Sequence, residues 1–151
     1  NTVTYDSFEL LPPPEKFEAG LQNYAGIIGA GAAVDYLNKV GLKNIQKQEK
    51  KLNQYITSEI DKHDSVTILG PHNAEKRSGI ISFIVKGMDP HDVELMLDQS
   101  ENIMVRAGRH CVHSWFNAHH LDGSVRASLY FYNTMEEAEK FVDTLNKVIN
   151  S

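Results

Sequence analysis

Residues 106–115 read "RAGRHCVHSW" and contain the chain's single cysteine, Cys111, among Arg106, Arg109, His110 and His113. By residue type alone a free cysteine is commonly a small buried hydrophobe. Its neighbours favour a second reading: positive or protonable groups in a polar, glycine-containing loop stabilise thiolate over thiol, and thiolate is the nucleophile. Cys-His hydrolysis is compatible with these residue types, because an imidazole could take the thiol proton while a third group orients it. No family signature for such a hydrolase surrounds Cys111. A metal centre is a further reading, since His110, Cys111, His113, His119 and His120 would supply enough ligands for tetrahedral zinc. No CxxC pair accompanies them, so the expected metal is none.

Arg126 lies in the apolar run "SVRASLYFY". An inward charge there would be costly unless paired, and an outward arginine on an edge strand is the plainer alternative. Guanidinium is also the side chain best shaped to hold a carboxylate by two parallel hydrogen bonds. A reactive cysteine close to such an arginine would suit a small amino-acid or organic-acid substrate.

The elements that must position these residues follow from pattern. "NTVTYDSFEL" alternates polar with β-branched or aromatic residues, and the three prolines of "LPPPEKFEAG" exclude helix or central strand. Residues 1–22 are therefore expected to form an extended arm and connector. From Asn23, apolar residues recur at helical spacing through Leu37, with small residues and glycines that suggest close packing, and Gly41 ends this helix. "GAGAAVDY" lacks both a GxGxxG pattern and a preceding strand, so it is no dinucleotide fingerprint. A more charged helix follows over Ile45–Ile60. "SVTILG", "GIISFIV", "NIMVRAG" and "SVRASLYFYN" read as four strands. Asp89-Pro90 opens a helix between the second and third, and Asn133-Thr134 with Glu136-Glu137 caps a final one. The expected fold is α+β: two long N-terminal helices, then a small, mostly antiparallel sheet with helices on one face. The long connection between the third and fourth strands, 106–123, is the natural place for function.

Composition bounds the partners. The chain has 151 residues, 41% hydrophobic and 23% charged, with net charge -5, which fits one folded domain rather than a disordered chain. No basic stripe invites nucleic acid. No apolar run is long enough to span a bilayer, and no signal-peptide pattern opens the chain, so cytoplasm is the expected compartment. The first residue is Asn1 rather than Met, and the chain is expected to be excised, processed or truncated, with part of any active site outside it.

"KFEAG" followed by a Gly/Ala-rich helix, "GIISF", "RAGRHC" and "RASLYFYNTMEEAEKFV" together resemble the C-terminal part of the cysteine desulfurases, Suf-like branch. These are pyridoxal-phosphate (PLP) enzymes of aminotransferase class V with the type I fold. The resemblance runs from about Pro13 to Ile149. It implies that residues 23–151 are the small C-terminal domain and 1–22 the connection from a large domain upstream. It also implies that L-cysteine is the substrate, that Cys111 accepts its sulfur as a persulfide, and that Arg126 and Arg106 bind substrate. PLP would be held in the complete enzyme, with its Schiff-base lysine upstream and no cofactor-binding residue in this stretch. The partners implied are a sulfur-acceptor protein of iron-sulfur or thio-cofactor assembly and a second copy in a homodimer; alone, the stretch would be inactive. Three positions depart from the family pattern: Arg109 replaces a histidine, Val112 a smaller residue, and Leu21-Gln22 a Thr-Pro whose threonine contacts the PLP phosphate. The alternative expectation is a free-standing remnant that carries sulfur or binds a partner without PLP chemistry.

Overall fold

A computed structural model describes residues 3–150. Asn1 and Thr2 of the expected arm, and Ser151 of the expected C-terminal domain, lie outside them. The chain divides into two units between Val40 and Gly41.

In the first unit, Val3 and Phe8 make an isolated antiparallel bridge, and the Thr4 and Ser7 hydroxyls between them lie 2.7 Å apart. A single 3-10 turn, Glu15–Phe17, follows the prolines. Helix α1 spans Tyr24–Val40, and Asn23 Oδ1 accepts from the Gly26 amide at 2.9 Å, satisfying one of the orphan donors of a helix start. None of the α1 residues is buried. Cβ atoms built on Gly29 and Gly31 would meet nothing within 4 Å, so the close packing expected there is not made among the described residues.

The second unit begins with α2, Leu42–Ile60. It starts three residues earlier than its apolar stripe suggests, because Gly41, at φ 90, completes the turn between the helices. Strands β1 (Val66–Leu69) and β2 (Ile80–Val85) precede α3 (Pro90–Glu101). Strand β3 (Arg106–Gly108), the short helix α4 (His113–Ala118), β4 (Ser124–Ser128) and α5 (Met135–Ile149) complete the chain. The sheet has order β1-β2-β4-β3, and every pairing in it is antiparallel.

Alternation in β2 sends Ile81, Phe83 and Val85 into the core. Against them pack Leu52, Ile56 and Ile60 of α2, Val93 and Leu97 of α3, and Phe141, Val142 and Leu145 of α5. Phe83 and Phe141 meet edge to face at 6.3 Å. The two later helices start as their sequences require. Asp89 Oδ1 accepts from the His91 amide at 2.8 Å, with proline in the first turn of α3. Thr134 and Glu137 form a reciprocal capping box on α5. The architecture is thus α+β, with helices on one face of a small antiparallel sheet, as the pattern predicts. No helix among the described residues is long and apolar enough to cross a membrane.

Two strands are shorter than their apolar runs. Asn102 adopts a left-handed conformation at the end of α3, so the chain through Ile103 and Val105 packs on the core without entering the ladder. Strand β4 stops at Ser128 because Tyr130–Asn133 closes a turn, Asn133 N donating to Tyr130 O at 3.0 Å and Tyr130 N to Asn133 Oδ1 at 2.8 Å.

Candidate active site

Side chains alternate across a strand. With Val125 and Ala127 in the core, Ser124 and Arg126 of β4 occupy the opposite face. The register carries that row across the sheet: Ser82 of β2 and Arg106 of β3 are both Cα partners of Arg126. Two guanidinium-bearing residues therefore stand directly opposite each other, an arrangement that is unfavourable on its own. Arg126 is half-buried, and its Nε is buried without a hydrogen-bond partner. It borders an open cleft of about 360 Å³ shared with Glu49, Ile80, Leu129, Tyr130 and Tyr132. A buried donor left unpaired is uncommon in a native fold, and a carboxylate is the ligand a guanidinium fits best.

The β3–β4 hairpin places the cysteine loop at the end of this row. Its last ladder pair is Gly108 with Ser124. The two arms stay in contact beyond it, since a Cβ on Gly123 would come within 3.0 Å of the Gly108 backbone. Next, Val112 N donates to Arg109 O at 2.8 Å, while His110 (φ 49) and Cys111 (φ 62) between them are both left-handed. Positive φ at both central residues is the signature of a type I′ turn, which favours glycine or asparagine. Cys111 thus sits at the tip of a tight turn and is exposed.

His110 points back into the hairpin. Its Nε2 lies 3.0 Å from Ser124 Oγ, and its Nδ1 is buried without a partner. Burial first, and then the charges of Arg126 and Arg106, hold its pKa below the ordinary histidine value despite the opposing contact with Ser124. The ring is therefore neutral at pH 7, with one nitrogen donating and the other accepting. Past the turn, α4 anchors the loop through buried Phe116, whose ring centroid lies 6.2 Å from that of His110 and 5.2 Å from that of Trp115.

His119 is engaged with a neighbouring side chain and backbone: it stacks on Trp115 with centroids 4.0 Å apart, and its Nδ1 lies 2.8 Å from Trp115 O. Among the described residues no group of three or more His, Cys, Asp or Glu side chains is placed to share a metal ion.

The donor that Arg126 presents to this cleft fits a small carboxylate. No lysine lines the cleft beside Arg126, and none among the described residues is buried.

Of the residues singled out in the sequence, Arg106 and Arg126 are brought together by register, and Cys111 stands on the loop that their two strands carry. Ser124 was missed as a site residue; its spacing of two from Arg126 places it on the same face and could have identified it. Asn117 and Asp122, which accept hydrogen bonds from the Arg109 guanidinium, left no such signal.

Residues 1–141 match the family model described as aminotransferase class-V. A probable cysteine desulfurase of Pyrococcus abyssi is 40% identical over 144 residues, covering 95% of this chain and 35% of its own. One from Xylella fastidiosa is 40% identical over 146 residues, covering 97% and 34%. The apo structure of the cysteine desulfurase from Thermococcus onnurineus NA1 superimposes with TM-score 0.84 at 39% identity, covering 99% of this chain and 37% of that one. A cysteine desulfurase of Escherichia coli in its S-sulfonic acid form shares the fold, with TM-score 0.82 at 24% identity over 99% of this chain and 36% of that one. The chain thus spans about a third of the length of the curated relatives it matches. With most of its length matched by the family model and its fold matched by members called cysteine desulfurase, the chain belongs to the aminotransferase class-V family.

Proposed function

We propose that this chain is the C-terminal part of a cysteine desulfurase, with Cys111 as sulfur acceptor and Arg126, assisted by Arg106, as the grip on the substrate carboxylate. The observation that carries the reading is the hairpin: opposed arginines on one sheet face lead through a neutral His110 to an exposed thiol at the turn. The relatives named cysteine desulfurase support the same chemistry.

In this reading the L-cysteine carboxylate accepts hydrogen bonds from Arg126, which fixes the substrate sulfur relative to the loop. Cys111 loses its proton and attacks that sulfur. The sulfur–Cβ bond breaks with its electron pair left on carbon, which takes up a proton to become the methyl group of L-alanine. The transferred sulfur stays on Cys111 as a persulfide. PLP, held by residues outside this stretch in the complete protein, would supply the electron sink for the carbon side of the cleavage.

Exposure of Cys111 suits the second half of the task, delivery of that sulfur to an acceptor protein for iron-sulfur or thio-cofactor assembly. A lone exposed thiol also fits a reducing compartment such as the cytoplasm. Residues 23–151 act as the small domain and 1–22 as its connection to a PLP-binding domain in a homodimeric enzyme; on its own this stretch does not turn over. The test is alanine formation from L-cysteine by the full-length protein. Cys111→Ser should abolish it while leaving the PLP absorption spectrum intact, and undiminished turnover in that variant would remove Cys111 from the reaction.

A further inference from the structure

Arg109 stands where the family resemblance leads one to expect histidine, immediately before the residues that carry the turn. Its guanidinium, though 36% exposed, is bound back onto the loop. Nε donates to Asp122 O at 3.1 Å and Nη1 to Asn117 Oδ1 at 2.8 Å, while Nη2 lies 3.6 Å from Asp122 Oδ1. One side chain on the outgoing arm of the hairpin thereby holds both the returning arm and α4. The next residue does the same in parallel, His110 reaching Ser124 on the returning strand. Cys111 is then the first residue of the loop without a side-chain anchor to the other arm in this pattern, and it sits at the left-handed tip.

We propose that Arg109 is a positioning residue: it ties the two arms of the 109–123 loop at their base and so sets the point from which Cys111 reaches the substrate sulfur. The proposal rests on the desulfurase reading for its chemical consequence, though the tie itself is independent of it. The hydrogen bonds to Asp122 O and Asn117 do the holding. The carboxylate of Asp122 is fully exposed, and an exposed ion pair contributes little. A guanidinium presents its donors from separate nitrogens in a fixed fork, whereas lysine carries all of its donors on one flexible nitrogen and reproduces that geometry less well.

The experiment uses the full-length, PLP-loaded protein and two readouts, amide hydrogen exchange over 109–123 and steady-state alanine formation from L-cysteine. Arg109→Ala should speed exchange in the loop and lower kcat about tenfold, because small misplacements of a reacting group are expensive in rate. KM for L-cysteine should stay within about twofold, since Arg126 still grips the carboxylate. Arg109→Lys should fall between the parent and Arg109→Ala, and Asp122→Ala should resemble the parent, because the backbone acceptor remains. Parental exchange in Arg109→Ala overturns the tie, and faster exchange with parental kcat overturns the positioning role. An effect of Asp122→Ala equal to that of Arg109→Ala would make the ion pair, not the fork, the agent and overturn the proposal as stated. A parent protein that forms no persulfide on Cys111 would sink the desulfurase reading and the positioning role with it, an outcome distinct from either exchange result.

Discussion

Arg106 and Arg126 are Cα partners across β3 and β4, so two like charges project from one face of the sheet at the base of the hairpin that carries Cys111. Such a cross-strand pair is destabilising by about 0.2–1 kcal/mol, and in the proposed reading a shared anionic ligand offsets it. Arg106→Gln should therefore leave the thermal midpoint unchanged or slightly raised while weakening substrate binding. Arg126→Ala should lower kcat/KM for L-cysteine by at least about a hundredfold, two hydrogen bonds to a charged group being worth about 1.5–3 kcal/mol each. Parallel kinetics and calorimetry on both variants check this pair of opposite signs.

His110 should titrate below about 6.5, the ordinary histidine value, because it is buried and faces Arg126 and Arg106. The unfolded chain then binds more protons than the folded one just below that pH. Stability from this residue is fully present above the unfolded pKa and is lost as pH falls from there through the folded pKa. Arg126→Ala should raise the His110 midpoint without restoring it fully, since burial is the larger cause. An NMR titration of the His110 ring measures both, and a midpoint at or above the ordinary value would contradict the placement of the ring.

Cys111 at φ 62 occupies a conformation in which a side chain is strained by about 1–2 kcal/mol. Cys111→Gly should therefore be more stable than Cys111→Ala by about 1 kcal/mol, the reverse of the usual order in regular structure. Denaturant unfolding of the two variants compares them directly, and equal midpoints would mean that the turn is not held as described.

Asn53 is fully buried and links α2 to the start of β2. It donates to Ser78 O at 2.5 Å, and its Oδ1 accepts from Thr57 Oγ1 and Arg77 Nη2, each at 3.1 Å. Asn53→Ala strands these partners and should cost about 1–3 kcal/mol, with the loss visible in unfolding rather than in the chemistry at Cys111.

Where local chemistry decides structure, the sequence was readable. Proline after Asp89, the Thr134–Glu137 box and the alternation of Ile81, Phe83 and Val85 each dictate an element within a few residues. The overlong third and fourth strands show the limit: Ile103 and Val105 look like strand residues because they are apolar and pack partly buried against the core, yet such packing does not require a ladder. Helix α4 was hidden because it is short and Phe116 is its one buried residue. For the site, residue types pointed to Cys111 and Arg126, while the opposition of Arg106 to Arg126 depends on register. The turning of His110 toward Ser124, and of Arg109 toward Asn117 and Asp122, depends on a tertiary path that no local pattern encodes.

Intact-protein mass spectrometry of the full-length protein after incubation with PLP and L-cysteine measures the sulfur acceptor itself. The expected result is a gain of one sulfur atom, mapped by proteolysis to Cys111, released by reductant and absent from Cys111→Ser. Sulfur found on another residue, or no added sulfur while alanine accumulates, would contradict the assignment of Cys111.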